Sequence, residues 1–200
     1  MIIGLGGKKG SGKTEIANYL SSKFNLQKYS FATPLKKLVT EVCGLSDSDK
    51  LSDKYFDGKV FNIEPIKREI KKYEYEKLTP EELDHIRALE YFKVGEIYRN
   101  LMQYIGTNIF RKRNEYHWIN QFKSSVPESF IVDDIRFENE FRFISSLKDS
   151  KCVKIIRNSD NYDDHISELE IDKIKFRHKF INNTNNISDL YKSIDSYFII

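Results

Sequence analysis

Cysteine is scarce in this chain of 200 residues: Cys43 and Cys152 are its two, far apart and in no C-x-x-C pair. That excludes a disulfide framework and a zinc ribbon, and it suits a reducing compartment. Long apolar runs are missing too, so no segment reads as a membrane-spanning helix. The opening MIIGLGGKKG carries only a short apolar stretch before glycines and lysines, and it reads as no signal peptide. A cytoplasmic protein with no membrane partner is expected. Charge of one sign is lacking: 33 Lys and Arg face 30 Asp and Glu, for a net charge of +3. So small and interspersed an excess gives no reason to expect stable nucleic-acid binding. Glycine (9) and proline (4) are few, with no low-complexity tract and no internal repeat. His85, His117 and His178 show no metal-ligand spacing.

What is present is globular. Hydrophobic residues make up 40% and aromatics 14%, and a chain of this length buries roughly 70% of its unfolded surface without a structural metal. Met1 to Leu5 reads as a buried strand running into a glycine-rich turn, and a helix is predicted from about Gly12 to Phe24. Leu26 to Phe31 reads as a second strand. Thr33-Pro34 reads as a cap and first-turn proline opening a helix through Val42, with Gly44 as its stop. Residues 45 to 78 are the least periodic and read as an insertion. Thr79-Pro80-Glu81-Glu82 is a strong helix start, and helical patterns continue with breaks to Phe122. Strands are predicted at Ser129 to Asp133, Cys152 to Ile156 and Lys179 to Ile181. Helices are predicted at 137–147 and Ile187 to Phe198. Short strands alternating with helices predict a single α/β domain with a mainly parallel sheet, carrying a mostly helical insertion or lid over 45–125.

Gly7-Lys8-Lys9-Gly10-Ser11-Gly12-Lys13-Thr14 matches G-x-x-x-x-G-K-[ST] directly after the first strand. Glycines such as Gly10 and Gly12 let backbone N–H groups curl around a phosphate where a Cβ would intrude. The following helix N-terminus adds partial positive charge. Lys13 is placed to reach β- and γ-phosphates, and the Thr14 hydroxyl to coordinate Mg²⁺. GTPases usually carry a strand-end D-x-x-G and an N-K-x-D, and neither stands here at a suitable place. Small size and an early P-loop point to a kinase acting on a small phosphorylated acceptor.

Two further constellations stand out. Phe130-Ile-Val-Asp133-Asp134-Ile-Arg136-Phe-Glu138-Asn-Glu140 is an apolar strand ending in acids and an arginine. That is where a P-loop fold holds magnesium waters or positions an acceptor. In Val94 to Thr107, Arg99 and Gln103 stand at i and i+4 on one helix face. There an arginine fork can grip a phosphate and an amide can pair with a base edge. By spacing alone, a solvated polar face is the favoured reading of that pair.

Taken together, R-x-L-M-Q-x-x-G-T (Arg99 to Thr107), Trp118 and V-D-D-I-R-F-x-N-E (Val132 to Glu140) resemble the phage-type deoxynucleoside monophosphate kinases. So do S-F-A-T-P-L-K (Ser30 to Lys36), H-I-S-E (His165 to Glu168) and I-N-N (Ile181 to Asn183). The motifs occur in family order over nearly the whole chain, residues 45 to 90 excepted. The resemblance implies transfer of the γ-phosphoryl of ATP, with Mg²⁺, to a 2′-deoxynucleoside 5′-monophosphate. It implies that Gly10, Ser11, Gly12, Lys13, Thr14 and Glu15 serve the triphosphate. Arg99, Gln103, Gly106, Thr107 and Trp118 would line the deoxynucleotide pocket, with Asp134, Arg136 and Glu140 between the phosphates. Lys13, Arg136 and Asp134 are the catalytic candidates, and Thr14 and Asp134 the metal candidates. A homodimer and a viral origin, acting in the host cytoplasm, are implied as well. The family usually reads S-G-K-D-T where this chain reads Ser11-Gly12-Lys13-Thr14-Glu15, which moves the metal to Thr14 and leaves Glu15 without a clear duty. Asn100 stands where a second basic residue is expected.

Arg111, Lys112 and Arg113 read either as a closing lid or as a solvated basic helix end. Tyr73 and Tyr75 read as packing. The expected chemistry is in-line transfer with no covalent enzyme intermediate, under a helical insertion that closes to exclude water. The competing expectations are another P-loop small-molecule kinase, of the dephospho-coenzyme A kind, and a non-kinase P-loop ATPase.

Overall fold

Ile2–Gly6, five consecutive buried residues, form β1 at the centre of the sheet. A strand covered on both faces needs no polar alternation, which is why this run is apolar throughout. The computed structural model describes residues 1–46, 61–89, 94–157, 166–184 and 186–198. Its sheet has the order β2-β3-β1-β4-β5, with β2 Lys28–Tyr29, β3 Phe130–Ile135, β4 Ser150–Ile156 and β5 His178–Ile181. Every neighbouring pair is parallel. Parallel pairing demands crossovers, supplied by α1 (Lys13–Phe24), α7 (Glu138–Ser145) and α8 (Ile166–Lys173), with α9 (Ile187–Tyr197) following β5. The expected mainly parallel α/β architecture is the one found.

The chain divides into two compact units. The first, Met1–Phe31 with Ile119–Ile200, holds the whole sheet. Ile3, Leu5, Ile16, Leu20, Val153, Phe180 and Ile194 make one of its clusters. Phe31, Phe122, Phe130, Val132, Ile135, Ile144 and Phe176 belong to another. Each fully buried aliphatic side chain of this kind contributes about 2 kcal/mol.

The second unit, Ala32–Trp118, is helical among its described residues. It contains α2 (Thr33–Cys43), α3 (Glu64–Lys72), α4 (Pro80–Ala88), α5 (Val94–Gln103) and a π-helix over Tyr104–Arg111, and α6 (His117–Lys123) begins at its end. Its core gathers Val39, Val42, Ile66, Ile86, Ile97, Leu101, Ile105 and Ile109. The capping box at α4 forms as the sequence predicts: the Glu82 N–H donates to Thr79 Oγ1 (3.2 Å) and the Thr79 N–H to Glu82 Oε2 (3.0 Å). Gly44 closes α2 in the left-handed region, at φ 60°.

Three local expectations change. Thr33 is the first helical residue of α2 and not its cap, since Ala32 holds that place with no side chain to donate or accept. The second strand is cut to Lys28–Tyr29, the only register at which it pairs with β3. The stretch read as aperiodic contains α3, begun by Pro65 and held by Ile66 and Ile70, which are buried at i and i+4 on one face. Residues 47–60 of that stretch, and His165 of the H-I-S-E run, lie outside the described residues. Among the described residues, no helix is long and apolar enough to cross a membrane.

Candidate active site

The sheet unit brings two loops to the same edge. β1 ends at Gly6, whose partner on the adjacent strand is Ile135 at the end of β3. The P-loop and Arg136 therefore leave parallel neighbouring strands together, at the carboxyl ends where α/β sheets bind ligands. Gly12, at φ 91° and ψ 11°, caps α1 from the left-handed region, a conformation open mainly to glycine. With no side chain in the cap position, the first-turn amides of α1 remain available to an anion.

Lys13 is 8% exposed. Its ammonium donates to the Lys8 carbonyl at 2.6 Å and to Ser11 Oγ at 3.3 Å, so a charge that burial alone would disfavour is held by the loop itself. Thr14, beside it, is exposed at the start of α1. Glu15 is directed elsewhere: its carboxylate accepts a short hydrogen bond from the Tyr191 hydroxyl, and the Tyr191 ring stacks on Tyr19 at 4.1 Å. The Lys8 ammonium pairs with Asp172 at 2.6 Å, and Lys154 reaches the same carboxylate at 3.1 Å. Burial pushes Asp172 upward, but hydrogen bonds from Lys8 and Lys154 outweigh it and hold the carboxyl below its ordinary range.

At the end of β3, Asp134 accepts from the Ser30 hydroxyl (2.6 Å) on Oδ2 and from the Phe31 amide (3.0 Å) on Oδ1. Both oxygens thus fix the chain just after β2. Glu140, at 2% exposure, reaches back from the third position of α7. Its Oε2 accepts from the Arg136 amide (2.8 Å) and the Phe137 amide (3.1 Å). The carboxylate thereby sets the backbone that carries Arg136. Asp133 and the Arg136 side chain are half-buried.

In the helical unit, Arg99 and Gln103 are half-buried on α5, and Thr107 is half-buried on the π-helix. Gly106 is buried: a Cβ there would stand 2.6 Å from Leu35 Cδ2. Trp118, at 3% exposure, donates from Nε1 to the Gly106 carbonyl at 3.1 Å. Its ring lies edge-on to Phe110 (5.4 Å) and to His117 (4.4 Å). The tryptophan is thus part of the core that supports Gly106. Arg113 is committed to structure: its fork grips Glu82 twice (2.8 and 2.7 Å) and its remaining N–H groups donate to the carbonyls of Glu76, Lys77 and Ile109.

Sequence reasoning missed Ser30, Tyr191 and Asn182 as partners of site residues. Asn182 is buried at 3% and donates to the Ser11 carbonyl from across the fold. The I-N-N run was the available signal, though nothing in one sequence says what an asparagine there touches.

A parallel sheet whose central strand enters a phosphate loop, beside a strand ending in Asp133-Asp134 and Arg136, defines a P-loop phosphotransferase. The chain belongs to the deoxynucleotide monophosphate kinase family, and it is a kinase of deoxynucleoside monophosphates. The family profile described as "Deoxynucleotide monophosphate kinase" matches residues 76–194. A protein of Acanthamoeba polyphaga mimivirus, described as "Putative deoxynucleotide monophosphate kinase", is 30% identical over 201 residues, covering 98% of this chain and 95% of that protein. A dephospho-CoA kinase from Campylobacter jejuni aligns at a TM-score of 0.39 and 13% identity, over 98% of this chain and 94% of its own.

Proposed function

We propose that the chain transfers the γ-phosphoryl of ATP to the 5′-phosphate of a 2′-deoxynucleoside monophosphate, giving the diphosphate and ADP, with the donor held by Ser11, Gly12, Lys13 and Thr14. The observation that carries the assignment is the Lys13 ammonium, held inside the loop by a carbonyl and a hydroxyl that a triphosphate would replace. In the transfer, the acceptor phosphate oxygen attacks the γ-phosphorus in line, as the bond to the bridging β-oxygen breaks. Charge spreads over the three equatorial oxygens. Lys13, the P-loop amides and the Arg136 guanidinium neutralise it. An ionised phosphate oxygen needs no strong general base.

Thr14 fits Mg²⁺: it offers an exposed hard oxygen beside Lys13, and Mg²⁺ keeps most of its waters and needs few protein ligands. Held by Thr14, the ion would supply positive charge that offsets the charge of the phosphates. Asp134, with both oxygens already accepting from Ser30 and Phe31, acts as the anchor of the β2-to-α2 connection. Glu140 acts through the backbone of Arg136. Glu15, engaged by Tyr191, stays outside the phosphate site. We assign Arg99 and Gln103 to the acceptor phosphate and base, with Gly106, Thr107 and Trp118 shaping the wall beside them. Action in the cytoplasm of a virus-infected host is in keeping with the mimivirus relative.

The test is ADP release from Mg·ATP with dAMP, dGMP, dCMP or dTMP, set against AMP, GMP and dephospho-coenzyme A. Turnover requires a deoxynucleotide, and Lys13→Ala lowers it by about 10³-fold or more, with Arg136→Ala losing about 10²-fold. Equal turnover without any monophosphate would overturn the acceptor assignment and leave the phosphate loop standing.

A further inference from the structure

Asn182 is the buried polar side chain near the P-loop to which the mechanism above gives no role. It stands one residue past the end of β5, where its backbone N–H donates to the Ile156 carbonyl at 2.8 Å and so continues the ladder between β4 and β5. Its side chain bridges two groups. Nδ2 donates to the Ser11 carbonyl at 3.1 Å, and Oδ1 accepts from the Thr184 hydroxyl at 3.0 Å. The Ser11 carbonyl fixes which end of the amide faces the loop, since it can accept only from a donor, and the Thr184 hydroxyl then donates to the remaining Oδ1. The contact is tight as well: a Cβ on Gly12 would stand 2.7 Å from Nδ2. The asparagine therefore packs directly on the left-handed Gly12.

We infer that Asn182 is a positioning residue for the nucleotide phosphates, acting through the Ser11–Gly12 peptide. In a planar trans peptide the C=O and the following N–H point in opposite directions. Holding the Ser11 carbonyl toward Asn182 aims the Gly12 N–H the other way, across the loop. It also fixes the turn from which Lys13 starts. A loop whose amides must converge on phosphate oxygens works by being set before the ligand arrives. Here the setting comes from the end of a sheet strand remote in sequence, with the Thr184 hydroxyl steadying the amide through Oδ1.

This inference rests on reading the loop as a nucleotide site, so its test measures nucleotide binding directly. Asn182→Asp keeps the shape and replaces the donor by an oxygen facing a carbonyl. Thr184→Val removes only the hydroxyl that steadies the amide. ADP affinity is measured by calorimetry, KM for Mg·ATP and for the deoxynucleotide by turnover, and thermal stability alongside. Asn182→Asp is expected to weaken ADP binding and raise the ATP KM by about ten-fold, with the acceptor KM moved by less than about two-fold. Thr184→Val is expected to weaken ADP binding by about two- to three-fold at unchanged melting temperature. Unaltered ADP affinity in either folded variant overturns the inference. So does a parallel loss of ATP and acceptor parameters together with melting temperature, which marks a merely structural residue. A wild-type chain that binds ADP but phosphorylates no deoxynucleotide would instead overturn the acceptor assignment and leave this inference intact.

Discussion

The two units use their buried and half-buried polar side chains differently. In the sheet unit such groups hold loop backbone: Lys13 grips the Lys8 carbonyl, Asp134 the Phe31 amide, Glu140 the Arg136 and Phe137 amides, and Asn182 the Ser11 carbonyl. In the helical unit they clasp one element to another: Arg113 to Glu82, His117 to Tyr75, Trp118 to Gly106. A parallel sheet already fixes its strands through backbone ladders, so side chains are available to shape the loops at its carboxyl edge. Short helices have no such ladder between them and depend on packing with a few desolvated polar contacts. The contrast teaches that substitutions of these loop-holding groups in the first unit should act on ligand binding, and substitutions of these clasping groups in the second on stability.

The strongest way to break that contrast is Arg113→Ala. Arg113 and Glu82 have side chains 10% and 11% exposed, and the Arg113 fork is the main cause holding the Glu82 carboxyl below its ordinary range. Removing the guanidinium leaves a desolvated carboxylate without its cation, with the Thr79 N–H still donating to Oε2. Loss of one partner of a buried pair costs about 3–5 kcal/mol, read as a lower midpoint in urea unfolding with the ADP affinity of the folded fraction retained. A loss below about 1 kcal/mol would place the pair with ordinary surface bridges and dissolve the distinction. The same residue shows where sequence reading stopped. The Arg111-Lys112-Arg113 run reads equally as lid or solvated end, and only the fold reveals that Arg113 is neither.

The next effect is on pH. His117 is wholly buried, stacked on Phe110 at 4.6 Å, with the Tyr75 hydroxyl 3.1 Å from Nδ1 and the Glu69 carboxylate 3.8 Å from Nε2. Burial, aided by Lys72 and Arg111, holds its pKa down to about 4, from an ordinary value of 6.5. The folded state therefore prefers the neutral ring, while the unfolded chain takes up a proton near the ordinary value. Stability is fully present above about pH 6.5 and is lost as pH falls toward 4, by about 2–3 kcal/mol over that window. Urea midpoints measured from pH 7.5 down to 4.5 should fall in the wild type. His117→Phe should start lower, because Tyr75 loses its partner, and should fall less steeply. Parallel slopes would show that carboxylates elsewhere carry the acid sensitivity.

Much of the sheet unit was legible because its signals are local. The apolar run of β1, the glycine spacing and the acidic end of β3 are each contiguous in the chain. Asp134, Arg136 and Glu140 are legible as one contiguous motif running from the end of β3 into α7, but their partners were not. That Asp134 takes Ser30, or that Glu15 takes Tyr191, depends on contacts between residues more than a hundred positions apart. In the helical unit even an element was missed. The charges around α3 mask a two-isoleucine stripe, and its short length gives periodicity too few turns to show. The π-helix is a further case: its sequence Tyr104–Arg111 has no feature separating it from an α-helix.

The smallest effect sharpens the contrast at that π-helix. Gly106 lies where α5 gives way to the wider turn, with its carbonyl taken by the Trp118 indole. Its phase is not the reason for glycine, because its φ is not among the positive values of the chain. Proximity is: an added Cβ would meet Leu35 Cδ2 at 2.6 Å. That atom ends a flexible side chain, so the contact can be relieved by turning Leu35, but Leu35 is itself 7% exposed in the core and must displace neighbours to turn. Overpacking of this kind costs about 1–2 kcal/mol, partly offset by the lower backbone entropy of alanine in the unfolded chain. Gly106→Ala should therefore lower the urea midpoint modestly, and Gly106→Ala with Leu35→Val should recover part of it, since the shorter side chain vacates the contested space. If Gly106 serves stability alone, the acceptor KM of the single variant stays at the wild-type value. A KM for the deoxynucleotide that rises in the single variant and returns in the double one would show that Gly106 shapes the acceptor wall assigned to it, and that the close approach to Leu35 serves binding as well as stability.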